Sequence, residues 1–189
     1  MQIINHKIIV SPKLVRLVQI FHFSLAIFLL IGTLLLNGCS TNSVAAVPLN
    51  WKTIDAVPSG LWQLAVSQNT SATPDHLHNV LAASIPTKDN GYLHIFNFNH
   101  PQTCGRIGCL YVAYLAKEQS YQQVLSTYLQ PNLPPQHSLI SISPDISATA
   151  LPCLEIKQVK QQSLLTLTYC FNGSSFQPTK SIRILLSKS

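Results

Sequence analysis

Residues 17–36 form a run of 20 mostly apolar residues without a charged side chain. Lys7, Lys13 and Arg16 precede this run, and no acidic residue balances them. A positive segment followed by an apolar run is typical of a secretory signal, whose positive end stays in the cytoplasm. We therefore expect residues 1–38 to be a signal peptide, so that the chain after them folds once it has been exported.

The same run also has the length of a membrane-spanning helix. Twenty residues at roughly 1.5 Å each cover about 30 Å, which is the thickness of the hydrocarbon core of a bilayer. The alternative is therefore an uncleaved single-pass anchor. Either arrangement would tether the same domain to the same face of the membrane.

The end of the run, Leu36-Asn37-Gly38-Cys39, resembles the lipobox of bacterial lipoproteins. In that family the chain is cut before the cysteine, and the cysteine carries a diacylglycerol and usually a further acyl chain on its amine. The resemblance implies a mature chain that begins at acylated Cys39, with the lipid bilayer as its partner. Two or more acyl chains are what stable anchoring requires. A serine after the cysteine, as Ser40 is, generally permits sorting to the outer membrane in Gram-negative members, so we expect an envelope location on the periplasmic or cell-surface side.

The charge of the chain gives little reason to expect a nucleic-acid partner. Removing the three basic residues of the leader from the twelve in the chain leaves nine, against six acidic residues. These nine are scattered, whereas nucleic-acid binding needs a clustered basic surface. We expect no nucleic-acid partner and no cofactor.

The exported part divides into a short tether and one domain. Residues 39–50 are small, polar and nearly uncharged, and are predicted to be a flexible lipidated spacer. Residues 51–189 are enough for one domain with its own core. Four cysteines remain after Cys39, an even set suited to disulfides in an oxidising compartment.

Apolar spacing and turn signals predict the elements of this domain. Thr73-Pro74-Asp75 predicts the start of a helix, with Thr73 as N-cap, and helical spacing continues to Ile85. Residues 121–129 predict a second short helix, with a strand as the alternative. The remaining predicted elements are strands, with a helical turn as the alternative for the first: residues 61–66, 92–98, 109–116, 139–142, 151–160, 163–171 and 179–186. This order favours an α+β fold, a mostly antiparallel β-sheet with one or two short helices, stapled by disulfides.

The strand at residues 109–116 is apolar on both of its faces. One face carries Leu110, Val112 and Tyr114, and the other carries Tyr111, Ala113 and Leu115. This pattern predicts a central strand that is covered on both sides.

A C-G-R-I-G-C segment from Cys104 to Cys109 joins two of the predicted strands. Its glycines allow the positive φ angles of a tight reversal, and a disulfide between the two cysteines would pin it. Arg106 and Ile107 at its tip are candidate contact residues, since exposed loops often carry function.

With this loop the chain resembles a loose class of uncharacterised exported bacterial proteins. In that class a C-G-x-x-G-C loop joins two strands, a helix precedes them, and a Phe-Asx-Gly turn lies near the end. Phe171-Asn172-Gly173 matches that turn, and the similarity spans residues 73–176. The resemblance implies export but no particular activity.

Two sharper interpretations of the loop are less well supported by its spacing. Redox sites usually separate two cysteines by two residues at a helix start, whereas four residues intervene here. A zinc site from His94, His100, Cys104 and Cys109 has suitable ligand types but an unfamiliar spacing. We therefore predict a structural disulfide and no metal.

Register predicts a second disulfide, between Cys153 and Cys170. If the turn is centred between Gln161 and Gln162, the residue numbers of any two facing residues sum to 323. The numbers of Cys153 and Cys170 have this sum, so the two cysteines face each other. The same register places polar residues on the cysteine face and apolar ones on the other, as a half-buried antiparallel pair requires. The cysteines fall in a non-hydrogen-bonded pair, whose Cα atoms lie near 4.5 Å apart.

No familiar catalytic motif or paired-carboxylate pattern is present in the sequence, which favours a non-enzymatic binding or envelope-structural domain. The alternative is a hydrolase-like envelope enzyme whose site forms only in the fold. His94 and His100 are the first residues to inspect for it, and also for binding. A cleft that joined either histidine to Asp75, Asp89 or Asp145 would favour the enzyme.

Overall fold

The computed structural model describes residues 45–77, 79–118, 120–149 and 151–186. The predicted signal peptide and Cys39 lie outside the described residues. Within these ranges the chain forms eleven strands and one α-helix. In chain order they are β1 (Val47–Pro48), β2 (Lys52–Thr53), α1 (Ser59–Asn69), β3 (Leu81–Pro86), β4 (Tyr92–Phe98), β5 (Cys104–Gly105), β6 (Gly108–Lys117), β7 (Ser120–Leu129), β8 (Ile140–Ile146), β9 (Pro152–Lys160), β10 (Ser163–Phe171) and β11 (Phe176–Leu185).

The strands form two antiparallel sheets. Sheet A has the order β1-β8-β9-β10-β11, and sheet B has the order β2-β3-β4-β6-β7. The short β5 pairs with the start of β6 on the side opposite β7. The expected mostly antiparallel architecture with two disulfides is confirmed, but with a single α-helix in the described residues the α+β label applies only loosely.

An inter-sheet core fills the space between sheets A and B. Sheet B contributes Leu93 and Ile95 from β4, and sheet A contributes Leu154 and Ile156 from β9; all four are at most 1% exposed. Strands alternate their side chains between faces, so the remaining residues of sheet B point the other way. Sheet B therefore needs a second cover.

Helix α1 supplies that cover and encloses a helix-side core. Leu61, Trp62, Ala65 and Val66 are its buried residues, and their spacing places them on one helical face. The Trp62 ring lies 6.0 Å from that of Phe96 and stacks on that of Phe98 at 5.9 Å. None of the described helices is long and apolar enough to cross a membrane.

Strand β6 lies between the two cores, as its sequence predicts. Leu110, Val112 and Tyr114 face the helix-side core, whereas Tyr111 and Ala113 face the inter-sheet core. The prediction of a central strand covered on both sides is confirmed.

The helix predicted from Thr73 to Ile85 is wrong. A single 3-10 turn at Pro74–His76 is followed by strand β3. Ala83 and Ile85 enter the inter-sheet core and Ala82 enters the helix-side core, whereas Ser84 and Pro86 are exposed. The three adjacent apolar residues Leu81, Ala82 and Ala83 hide the alternation that identifies a strand, so the sequence favours a helix.

Residues 121–129 form strand β7 and not the short helix favoured by the sequence, so the alternative prediction of a strand is confirmed. The ladder of this strand with β6 shifts register between Ala113 and Tyr114, which leaves Val124 as an extra residue in β7. The resulting β-bulge lets the neighbouring Val124 and Leu125 both enter the inter-sheet core. These two adjacent apolar residues give the segment its helix-like apolar spacing.

The register predicted for β9 and β10 is confirmed. Ser163 pairs with Lys160, and Tyr169 pairs with Leu154. The next pair is bridged by the disulfide between Cys153 and Cys170, whose Cα atoms lie 4.4 Å apart. Gln161 and Gln162 form the turn with φ angles of 50° and 61°.

Part of the segment predicted to be a spacer, before Trp51, pairs with and packs against the domain. Val47 and Pro48 pair with β8, and Leu49 is buried in the inter-sheet core. The far end of the domain, strand β11, starts at Phe176, three residues earlier than predicted.

Candidate functional site

The C-G-R-I-G-C loop is a closed β-reversal. Cys104 and Cys109 face each other in the β5–β6 ladder and form a disulfide with their Cα atoms 3.9 Å apart. With both sulfur atoms bonded, neither serves as a nucleophile or a metal ligand. The described residues contain no group of three His, Cys, Asp or Glu side chains placed to hold a metal ion.

Gly108 is the residue that makes this reversal possible. Its φ angle is +121°, and a Cβ atom there would lie 2.4 Å from the carbonyl carbon and oxygen of Leu129. Glycine alone fits so close a backbone contact. The loop is thereby locked against the end of β7.

Arg106 and Ile107 lie at the exposed tip of this loop, and Ile107 is 63% exposed. The Gln130 side chain donates a hydrogen bond to the Arg106 carbonyl oxygen (3.1 Å), which ties the tip to the chain after β7. Both residues are accessible to a partner, but neither lines the cleft between β7 and β11.

His94 is buried on the helix side of sheet B, with 5% of its surface exposed. Burial lowers the pKa of its imidazole, so the ring is neutral at pH 7. Its Nδ1 lies 2.8 Å from the Ser84 hydroxyl oxygen, and its ring stacks on Tyr92 with centroids 5.7 Å apart. A neutral imidazole beside a serine hydroxyl has the chemistry of a base and a nucleophile.

The structure does not join the histidines to the carboxylates that the sequence offered as partners. His100 lies in the turn after β4, where its Nδ1 accepts from the Gln102 backbone N–H (3.3 Å). Asp89 forms an exposed ion pair with Lys117 (3.4 Å). Among the described side chains, no hydrogen bond or ion pair connects His94 or His100 to a carboxylate, so His94 has no orienting acid.

A cleft of about 590 Å³ opens at one side of the sandwich. Its walls are residues 123–127 of β7, residues 175–178 at the start of β11, and Tyr169 of β10. β7 is an edge of sheet B and β11 is an edge of sheet A, so the cleft lies between the edges of the two sheets. A volume of this size is typical of a site for a small molecule or a short segment.

The lining of this cleft is neutral. It combines amide and hydroxyl groups, among them those of Gln123, Ser126 and Gln177, with the aromatic residues Tyr169, which is half-buried, and Phe176, which is 3% exposed. None of the ten lining residues carries a charge at pH 7. The cleft can therefore offer hydrogen bonds and apolar contact, but no acid–base pair.

A partly buried polar cluster around Tyr114 fixes one end of the cleft. The Tyr114 hydroxyl donates to the Gln68 side chain (2.8 Å) and accepts from the Asn69 amide (2.9 Å). The Gln123 amide donates in turn to Asn69 Oδ1 (3.3 Å). Burial raises the pKa of Tyr114, so its hydroxyl stays protonated, and the cluster holds Gln123 against helix α1.

No protein family, no curated protein and no solved structure matches this chain.

Sequence reasoning did not find the cleft or Ser84. Ser84 falls within a segment whose sequence predicts a helix. The cleft depends on β7 being an edge strand, whereas the sequence of residues 121–129 favours a short helix and offers a strand only as the alternative. The cross-strand pairing of Ser84 with His94 could have been read from β3 and β4 once both were known to be strands.

Proposed function

We propose that this chain is an exported binding protein, anchored in the membrane through acylated Cys39 and without catalytic activity. The leader and the lipobox-like sequence support the anchor. The two disulfides of the structure support an oxidising compartment, because such bonds are rare where thiols are kept reduced.

The observation that carries the binding function is the cleft between β7 and β11. It has the size of a ligand site, its lining offers hydrogen bonds and aromatic rings, and it holds no titratable group that could move a proton near pH 7. Binding without turnover is the activity that such a lining supports.

Site-specific photo-crosslinking in intact cells tests this function. A benzoylphenylalanine at Ser126, in the cleft, is compared with one at Gln63, which is exposed on helix α1. We expect adducts from position 126 and few from position 63, with the attached molecule identified by mass spectrometry. Equal adducts from both positions, or none from position 126, would contradict a binding role for the cleft.

The Ser84–His94 pair favours a second candidate, an envelope hydrolase. In that case the neutral His94 would take the proton of the Ser84 hydroxyl as the oxygen attacks a carbonyl. Treating the protein with a fluorophosphonate probe distinguishes the two. Labelling of the wild type that is lost in Ser84→Ala would support the hydrolase, whereas an unlabelled protein supports binding alone.

A further inference from the structure

Strand β7 is an edge strand with little protection against pairing. It is ten residues long, and among the described residues it pairs only with β6. Its sequence, SYQQVLSTYL, contains no charged residue and no proline, and its one protective feature is the bulge at Val124. Natural edge strands are usually kept from pairing by charges, prolines, bulges or short length.

The other terminal strands of the described sheets do carry such protection. β1 and β2 are each two residues long. β11 is ten residues long but contains Pro178, Lys180 and Arg183. Among these edge strands, β7 therefore has the fewest features that hinder pairing with another strand.

The free hydrogen-bonding groups of β7 can be identified from the β6 ladder. The Leu110 N–H donates to the Thr103 carbonyl (3.0 Å), so Leu110 turns its backbone groups away from β7. Leu110 pairs with Tyr128, and Val112 pairs with Ser126. Because bonding alternates along an antiparallel ladder, Tyr128 and Ser126 point their N–H and C=O groups outward.

The chain just after β7 already binds an amide at this edge. The Gln130 N–H donates to Oε1 of Gln158 (3.0 Å), and Nε2 of Gln158 donates back to the Gln130 carbonyl (3.4 Å). A side-chain amide thus makes both hydrogen bonds that a neighbouring strand would make. Gln130 continues the series of outward-facing residues Ser126 and Tyr128, so the edge is shaped for peptide amides.

The cleft leads to this edge. Five successive residues of β7, 123–127, line the cleft. Beyond the bulge at Val124, residues 125–127 alternate between the faces of the sheet and still all line the cleft, which means that the edge of the strand faces it. The five residues span about 16 Å at roughly 3.3 Å each, and residues 175–178 form the opposite wall.

We propose that β7 binds an extended, uncharged polypeptide segment as an additional strand of sheet B. This inference rests on the proposed binding function and names its ligand class. The lining supplies no counter-charge, which favours a segment of about five uncharged residues. Tyr169 is the half-buried aromatic residue of the lining, so an apolar side chain is favoured where the segment meets it.

Panning a phage-displayed library of random heptapeptides against the detergent-solubilised full chain tests the proposal. We expect the recovered peptides to be uncharged at their centre and to bind Ser126→Ala, which keeps the outward N–H, more tightly than Ser126→Pro. Ser126→Pro should weaken them about tenfold or more, because it removes an outward N–H that strand addition uses. Proline is tolerated where an edge N–H faces solvent, and matching thermal melting of both variants verifies the fold.

Three outcomes would overturn the proposal. The first is recovered peptides that bind Ser126→Pro as tightly as the wild type. The second is a dimer of the wild type that Ser126→Pro dissociates, which would make a second copy the occupant of the edge. The third is a cross-linked adduct from position 126 that carries glycan or lipid; that result would keep the binding function and remove the peptide ligand.

Discussion

Gly108 lacks the methyl group of alanine, and the C-G-R-I-G-C loop depends on this difference. Gly108→Ala should lower the free energy of unfolding by more than about 1 kcal/mol, because alanine at a positive φ is strained and its Cβ would overlap Leu129. Gly105→Ala, three residues away, meets no atom within 4 Å and should have little effect. Urea unfolding of both variants measures the difference. Equal losses would show that the close contact with Leu129 does not limit this position.

His94 should make stability depend on pH in one direction. Its pKa in the folded state is lowered by burial from 6.5, so the unfolded chain takes up its proton first as the pH falls. The stability associated with neutral His94 is complete above about pH 6.5 and is lost as the pH falls toward the folded pKa. Urea unfolding between pH 7.5 and 5 should therefore show a steeper decline for the wild type than for His94→Gln. The same decline in both proteins would assign the effect to other groups.

At the scale of elements, the two disulfides should contribute unequally. In the chain-entropy treatment, the 17-residue separation of Cys153 and Cys170 contributes about 3 kcal/mol, and the 5-residue separation of Cys104 and Cys109 about 2 kcal/mol. Paired alanine variants unfolded in urea under non-reducing conditions should follow this order. When the disulfides of the wild type and of both variants are fully reduced, the differences in the free energy of unfolding should largely disappear. Differences that persist would mean that the alanine substitutions act through packing.

The β9–β10 turn should be open to improvement. Both Gln161 and Gln162 adopt positive φ angles, which residues with a side chain reach only at a cost. Replacing the pair with Asn-Gly, the preferred sequence for such a turn, should raise the free energy of unfolding by about 1 kcal/mol. Alanine at both positions should not stabilise the protein. A stabilised alanine variant would mean that the turn conformation is not the source of the gain.

The elements that sequence predicts best here are those with one buried face. β9 and β10 alternate between a polar and an apolar side, so their register and the Cys153–Cys170 bond follow from counting residues. β3 and β7 do not alternate, because β3 contacts both cores and β7 carries a bulge at Val124. The sheets around these two segments decide that they form strands. The cleft depends on β7 and could therefore not be predicted from the sequence.

At the scale of the whole molecule, the anchor is the prediction that decides where the domain works. Metabolic labelling with a clickable palmitate should mark the wild type and not Cys39→Ala, and mass spectrometry should find a mature chain that begins at Cys39. The variant Cys39→Ser replaces only the sulfur atom by oxygen and tests whether labelling requires that sulfur. Label that persists in either variant, or an intact leader, would favour the uncleaved anchor.

The order of strands in sheet A also sets how the domain would bear a load. The chain enters at β1, whereas the cleft adjoins β11 at the far edge, about 19 Å away across four strand spacings. A pull on the amino-terminal end would therefore reach sheet A at the strand that lies farthest from the cleft. Within the described residues β1 is joined to β8 through two residue pairs, so it would peel first, and Leu49 in the core would resist next. The domain could thus lengthen by a few residues under tension while the strands that form the cleft stay paired.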